Sequence, residues 1–575
     1  MTTVGAQPAP PVARLGLGRS VRWLKTLPLP LLVGALIAYL VISPLYYLVW
    51  QGLTTGDGLG LANIVDAFSR PGTAQMLWNS TVFTVGSATV SMVTGTALAF
   101  FCCRTNAPMK PLLYASSLIP LIVPGILFTI SWVFLLSGRA GAVNVALRAI
   151  GLDFLTINVF SMGGMILVEG LHLSPIVFLL MFAAFRGADP SLEEAAAMSG
   201  AGTGHTLRTV TLPLVRPALL GALVVMMIRG LGSFEAPAVL GIPAGKYVLT
   251  SQIYKALHTY PVRYDQAAIY SIALMAVTAL GLFAVQRING KTERFATITG
   301  KGYRPRPFDL GKWRWPVSIG FAVYFLVAVI SPVAILIWTS LLPYYQNPSF
   351  DALDQVTLSN YADMTKLADV MLSLRNSVVL SISSATFLML LMSLVAWIVL
   401  RTKLPGRHLL DILAGIPLAF PGLVLGVALI FIYIRSPLPI YGTLVILFIA
   451  YVTSYMPYAM QYTRSSVGQI SSELEEAGRM SGARLPTVLR RVTLPLMMPG
   501  ITAGWIYVVI VSIRELSSSI LLYSHDTQVF SVTIWDLWQA GQTNVLSAVG
   551  VTMIVGLMLL VTLAYRLGAK IGIKE

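Results

Sequence analysis

The sequence predicts an all-α polytopic membrane protein with twelve transmembrane helices arranged as two parallel repeats of six. Three observations carry this. The chain has 575 residues, of which 56% are hydrophobic and 11% charged, whereas soluble domains carry about 25% charged residues. Twelve stretches come close to the roughly 20 apolar residues that cross a bilayer as a helix. A 23-residue polar, Gly-interrupted segment occurs twice between long apolar runs, as LEEAAAMSGAGTGHTLRTVTLPL at 192–214 and LEEAGRMSGARLPTVLRRVTLPL at 474–496. The formal charge of +16 does not indicate nucleic acid, because the Lys and Arg residues fall in short loops beside apolar spans, where they set membrane topology.

Residues 1–28 carry Arg14, Arg19, Arg22 and Lys25 and no acid. They are too long and Pro-rich for a standard signal peptide, so they are expected to be a cytoplasmic segment before a retained first span. The spans are expected at about 29–51, 77–103, 112–137, 161–185, 212–240, 266–286, 316–342, 375–401, 408–434, 440–462, 495–522 and 545–568. Cys102 and Cys103 are neighbours at the end of the second span, and the chain has no other cysteine; adjacent residues seldom bridge. With the N-terminus inside, the inside loops collect the cations: Arg104 and Lys110, both 23-residue segments, Arg401 to His408, and Lys570 and Lys574. The stretch 287–314 holds eight Lys/Arg against two acids. The outside loops are balanced or nearly so. This bias predicts a multi-pass protein with both termini cytoplasmic.

The repeat extends beyond the 23-residue segment. Asn79-Ser80 matches Asn376-Ser377, Arg104-Thr105 matches Arg401-Thr402, and Pro120, Pro124 and Gly125 match Pro417, Pro421 and Gly422. These pairs share an offset of 297, against 282 for the 23-residue segment, so the first half holds about fifteen extra residues, expected in the outside loop 138–160. The predicted division is a first six-helix domain at 29–286 with its inside loop at 189–213, a cytoplasmic linker at 287–315, and a second domain at 316–575 with its loop at 471–495. Parallel repeats pack about an axis along the membrane normal with a pathway between them.

Each 23-residue segment reads as a short helix on the membrane face, followed by re-entry at Pro213 or Pro495. Asp189, Pro190 and Ser191 suit a helix start. Ser191 with Glu194, and Ser472 with Glu475, each fit a capping box, one register apart in the repeat. Gly200 and Gly482 are expected to stop the helix. Amphipathicity alone accounts for an interfacial linker. It does not account for Glu-Glu-Ala, Ser-Gly-Ala and Thr-Leu-Pro-Leu recurring at fixed spacing, and paired glutamates suit a protein partner better than an anionic leaflet.

The two segments resemble the "EAA" loop in permease subunits of bacterial type I ATP-binding-cassette importers. The fused two-domain layout most resembles ferric iron permeases; thiamine and 2-aminoethylphosphonate permeases share it. The resemblance implies the type I importer permease fold and coupling helices that dock on a separate ATPase. It assigns that docking to Glu193, Glu194, Ala195 and Gly200, and to Glu475, Glu476, Ala477 and Gly482. It further implies two ATPase copies, an extracytoplasmic binding protein, and ATP and magnesium used by the ATPase rather than by this chain. Gly478-Arg479 stands where the first copy has Ala196-Ala197, so the second helix is expected to be less stable intrinsically, with Gly478→Ala tolerated.

Enzyme chemistry is not expected. The nearest approach to a phosphate loop, Gly241 to Tyr247, has the wrong spacing and lacks the Ser or Thr hydroxyl at the magnesium position of the motif. No catalytic residue, metal set or cofactor of the chain itself is expected. A secondary transporter needs ionisable groups near mid-membrane. The candidates are Glu169, His172, Arg229, Glu235, Arg514 and Glu515, which do not fall on matching positions of the two halves. They stand as possible lining of a translocation pathway for a cationic cargo, with inter-helix hydrogen bonding as the structural alternative. Polyamines or other small solutes are the alternative cargoes.

Overall fold

The computed structural model describes residues 29–55, 58–188, 191–292 and 307–570. The N-terminal basic segment, Asp189, Pro190 and the linker residues 293–306 lie outside the described residues, as does Lys574. In the first half the main helices are α1 (Leu29–Leu53), α2 (Thr73–Arg104), α3 (Lys110–Leu118), α4 (Gly125–Leu136), α5 (Met162–Gly187), α6 (Ser191–Met198), α7 (Leu212–Gly232), α8 (Leu249–His258) and α9 (Tyr264–Thr292). The second half repeats the series as α10 (Arg314–Phe325) with α11 (Ser331–Ser340), α12 (Ala368–Arg401), α13 (Arg407–Gly415), α14 (Gly422–Tyr433), α15 (Leu444–Gln469), α16 (Ser472–Met480), α17 (Leu494–Ile513), α18 (Phe530–Gln539) and α19 (Thr543–Lys570). Among the described residues, strand is confined to the antiparallel pair Thr54–Thr55 and Gly58–Leu59.

Among the described residues, ten helices are long and apolar enough to cross a membrane. The stretches expected as single spans at 112–137 and 408–434 are instead broken: Lys110–Leu121 meets Gly125–Leu136 at 108°, and Arg407–Ala419 meets Gly422–Tyr433 at 107°. The cause is Pro124-Gly125 and Pro421-Gly422, since proline removes a backbone donor and disfavours helix in the residue before it.

The two halves exchange contacts reciprocally. Helix α1 of the first half lies on the broken helix α14 of the second, and α11 of the second half lies on α4 of the first. Tyr39 and Tyr433 share a hydroxyl hydrogen bond at 2.9 Å, and the Tyr345 hydroxyl donates to the Phe134 carbonyl at 3.2 Å. The linker is fastened on its exit side. Phe308 pairs with Thr105 as an isolated bridge, and the Asn106 amide donates to Asp309 Oδ1 at 2.6 Å. The Gly311 N–H and that amide hold the Asp309 carboxyl below the usual range.

The Asn-Ser pairs lie near the start of α2 and α12 and cap the short helices on the face opposite the 23-residue segments. Ser80 Oγ accepts from the Leu249 N–H at 2.9 Å, and Ser377 Oγ from the Phe530 N–H at 2.7 Å. Asn79 Nδ2 donates to the Tyr247 carbonyl, and Asn376 Nδ2 to those of Asp526 and Gln528. These bonds satisfy helix ends and loops that lipid cannot.

Within the first half, α2 and α5 approach until their backbones touch. A Cβ at Gly95 would stand 2.6 Å from the Ser174 carbonyl oxygen, and one at Gly170 would stand 2.5 Å from Val90 Cβ. Small residues permit such packing between membrane helices. Gly95→Leu is therefore expected to destabilise the detergent-solubilised protein by more than the about 1–3 kcal/mol of ordinary overpacking. Gly320→Leu, where a Cβ meets nothing within 4 Å, is expected to leave the thermal midpoint unchanged. Thermal unfolding monitored by monodispersity checks both.

Candidate functional site: two clamped surface helices and a polar mid-membrane junction

Each 23-residue segment folds as a helix, a left-handed stop and a π turn that leads into the next span. In α6 the helix closes at Gly200 (φ 82°) with the Ala201 N–H donating to the Ala196 carbonyl at 3.0 Å; in α16 it closes at Gly482 (φ 82°) with Ala483 donating to Gly478 at 3.2 Å. A residue with a Cβ is strained at that φ, and the same 6→1 bond recurs in both copies. The π turns span Leu207–Thr211 and Leu489–Thr493.

The two adjacent glutamates of each helix part company. Glu193 and Glu475 are buried, at 7% and 4% exposure. Glu193 accepts from the Thr211 hydroxyl at 2.8 Å and pairs with Arg104 at 3.5 Å. Glu475 accepts from the Thr493 hydroxyl at 3.1 Å and pairs with Arg401 at 3.6 Å. Arg104 also donates to the Ala188 carbonyl at 3.0 Å, and Arg401 to those of Val467 and Ile470. One Arg-Glu-Thr set thus ties the end of span 2, the surface helix and the start of the following span together in each half. The expected grouping of both glutamates on one partner-facing surface does not hold: Glu193 and Glu475 face inward. The capping-box reading of Ser472 with Glu475 also gives way, because the N-cap is Ser471, whose hydroxyl accepts from the Glu473 N–H.

The outer side of each helix keeps apolar side chains in solvent. Met198 is 85% and Met480 79% exposed, and Leu192 and Leu474 are about half exposed. Glu476, Ala195 and Ala477 are exposed and Glu194 is partly so. Gly478 has an internal reason: a Cβ there would meet Val488 Cγ2 at 3.2 Å. The corresponding residues of the first copy are Ala196 and Thr206, so the smaller helix residue accompanies the larger partner.

Four of the six ionisable residues, His172, Glu235, Arg514 and Glu515, lie at the two helix breaks between the halves. A Cβ at Gly125 would meet His172 Nε2 at 3.3 Å and the Glu235 carboxyl carbon at 3.5 Å; one at Gly422 would meet Glu515 Oε1 at 3.0 Å. Each half therefore sets a carboxylate at the N-terminal end of its own broken helix, where the dipole favours negative charge. Glu515 also accepts from the Tyr455 hydroxyl at 2.7 Å and the Ser518 N–H at 3.0 Å. Arg514 crosses to the first half and donates to the Leu121 carbonyl at the end of α3's 3-10 extension. Arg229 crosses the other way and donates to the Tyr458 hydroxyl at 2.5 Å. Glu169 is buried on α5, one turn from His172. Among the described residues no three His, Cys, Asp or Glu side chains assemble as a metal-ligand set. Burial on α18 pushes the Asp536 carboxyl up to about 6, opposed by its hydrogen bond from the Tyr523 hydroxyl at 3.4 Å.

A profile of the family described as binding-protein-dependent transport system inner membrane component matches residues 91–294 and again 365–571. The chain belongs to this family. Both Arg-Glu-Thr sets lie inside the matched stretches, and the chain is a multi-pass inner-membrane permease component. It is 26% identical over 535 residues to the ferric transport system permease protein FbpB of Actinobacillus pleuropneumoniae, covering 92% of this chain and 76% of the relative. A putative ferric transport system permease protein of Haemophilus influenzae, FbpB 1, is 26% identical over 506 residues, covering 86% and 78%. The spermidine/putrescine permease protein PotC of Haemophilus influenzae is 25% identical over 197 residues, covering 34% and 75%. A solved bacterial alginate ABC transporter chain aligns with 48% of this chain and 96% of its own, at 21% identity and TM-score 0.40.

Removing one partner of a buried, hydrogen-bonded ion pair costs about 3–5 kcal/mol. Glu193→Gln with Glu475→Gln is accordingly expected to raise amide exchange across both surface helices by about two orders of magnitude. Glu476→Gln, at an exposed position, is expected to leave it unchanged. Hydrogen-exchange mass spectrometry reads both. For the glycine pairing, Gly478→Ala alone is expected to cost about 1 kcal/mol through the Val488 contact. Adding Val488→Thr, which recreates the first copy's combination, is expected to restore stability in a thermal melt.

Proposed function

We propose that this permease is the membrane subunit of an ATP-driven, binding-protein-dependent importer of ferric iron. The observation that carries the cargo assignment is coverage. The two relatives named for ferric transport align over 92% and 86% of the chain, both halves included, whereas the polyamine permease aligns over 34%. ATP hydrolysis belongs to separate subunits, which α6 and α16 contact.

Each surface helix offers an exposed methionine and leucine beside a carboxylate, an apolar centre with a charged rim of the kind that anchors protein interfaces. The Arg-Glu-Thr sets make these helices rigid levers. A push on α6 or α16 reaches two spans at once, through Arg104 or Arg401 and through Thr211 or Thr493. When the ATPase subunits close, the levers rotate the halves, the opposite side opens, and a loaded extracytoplasmic binding protein releases cargo between α7 and α17. Hydrolysis reverses the motion. The face with α6 and α16, which also carries Arg208, Arg484, Arg490 and Arg491, is cytoplasmic, and both termini lie on that side. The pathway passes the cation along without a resident ligand set, with Glu235 and Glu515 held at the helix breaks.

The reading is tested at two levels. Glu194→Arg with Glu476→Arg, and separately Met198→Asp with Met480→Asp, are expected to leave the chain inserted while lowering ATPase co-purification at least about tenfold. Normal assembly and transport in both variants would refute the docking assignment. For cargo, deletion of the chain is expected to abolish radioiron uptake, and the cognate binding protein is expected to carry iron by metal analysis. Loss of spermidine uptake with intact iron uptake would instead favour the polyamine reading.

A further inference from the structure

We infer that the extracytoplasmic side of the pathway is held shut by a two-layer gate: an aromatic seal of Phe234, Tyr254 and Trp535, and beneath it a one-sided latch from Arg514 to the Leu121 carbonyl. Phe234 and Tyr254 come from the first half and Trp535 from α18 of the second. Their ring centroids lie 5.2 Å (Phe234–Tyr254), 6.0 Å (Phe234–Trp535) and 5.9 Å (Tyr254–Trp535) apart. Phe234 is 0% and Trp535 3% exposed. Three rings closing over each other from opposite halves exclude water from the end of α7. Arg229, one turn back along α7, has substantial exposed surface although its hydrogen bond goes to Tyr458 of the other half. Solvent thus reaches Arg229 but not Phe234 or Trp535.

The latch has no symmetric twin. Arg514 corresponds in the repeat to Gly232. Both positions sit across the interface from the other half's helix break: Gly232 lies against Pro421, with a Cβ there 3.4 Å from the proline ring, while Arg514 reaches the Leu121 carbonyl. One break is thus closed by apolar contact and the other by a charged donor on the last carbonyls of a helix, which favour a cation. A guanidinium bound to a carbonyl in a low-dielectric site is a strong, directional bond. It must break if the halves are to separate on this side, whereas the glycine contact simply parts. Release of Arg514 is therefore the discrete step of opening, and the rings separate with it.

The inference rests on the permease reading and the assigned orientation, but not on the cargo. The test uses the full chain, with Cys102 and Cys103 replaced by alanine, and Ser233→Cys, at the buried position next to Phe234, as the only thiol. It is reconstituted with its ATPase subunits in right-side-out and inside-out vesicles. A membrane-impermeant maleimide applied outside right-side-out vesicles is expected to label the parent slowly. Trp535→Ala and Arg514→Met are each expected to raise that rate at least tenfold without nucleotide, while Arg514→Lys, which keeps a cationic donor, stays near the parent. Unchanged labelling in Trp535→Ala and Arg514→Met, in monodisperse protein, would overturn the gate. Equal labelling of Arg514→Lys and Arg514→Met at the raised rate would overturn the latch while sparing the seal. Acceleration seen only in inside-out vesicles would mean that the orientation, rather than the gate, had been misassigned.

Discussion

The buried pairing of Arg104 with Glu193, and of Arg401 with Glu475, is the constraint on which the rest depends. The surface helices are only eight and nine residues long, too short to be stable by themselves in water. They exist as fixed objects because a carboxylate from each is drawn inward onto a guanidinium and a threonine hydroxyl. Everything proposed for them, from partner contact to leverage on two spans, requires that attachment. Losing one charge leaves the other buried without compensation, so the arrangement tolerates replacement of the set far better than loss of a member.

The same economy governs the middle of the membrane. Breaking a span at Pro124 and Pro421 frees backbone donors and acceptors where lipid supplies none. The ionisable residues there answer that demand: carboxylates at the N-terminal ends of α4 and α14, and Arg514 on a terminal carbonyl. Their first role is thus architectural.

Much of this was legible in the sequence, and the limits are physical. Composition and apolar run length reveal the membrane class, and the recurrence of Asn-Ser, Arg-Thr and Pro-Gly at one offset exposes the repeat. What those pairs do was hidden, because Arg104 and Glu193 are 89 residues apart and Arg401 and Glu475 are 74 apart. Neighbouring glutamates on a helix point about 100° apart, so only one of each pair could face a partner. The available signal was that arginine, glutamate and threonine recur together in both halves. Hydropathy could not reveal the 108° and 107° bends, since both arms are apolar; proline before glycine in mid-span was the clue. The Gly478 substitution was misleading when read by helix propensity alone, because Val488 decides what fits there.

The reciprocal seating of α1 on α14 and α11 on α4 bears on how the molecule is born. Ribosomal synthesis delivers the first half well before Ser331–Ser340 exists. Until then α4, a helix that stops half-way across the bilayer, lacks the neighbour that covers one of its sides. The N-terminal half therefore enters the membrane as an unfinished object, and its last packing step waits for the second half to be inserted. Joining the two units in one polypeptide shortens that wait and guarantees the correct partner. A pair of separate subunits would have to find each other while each still exposed a broken helix.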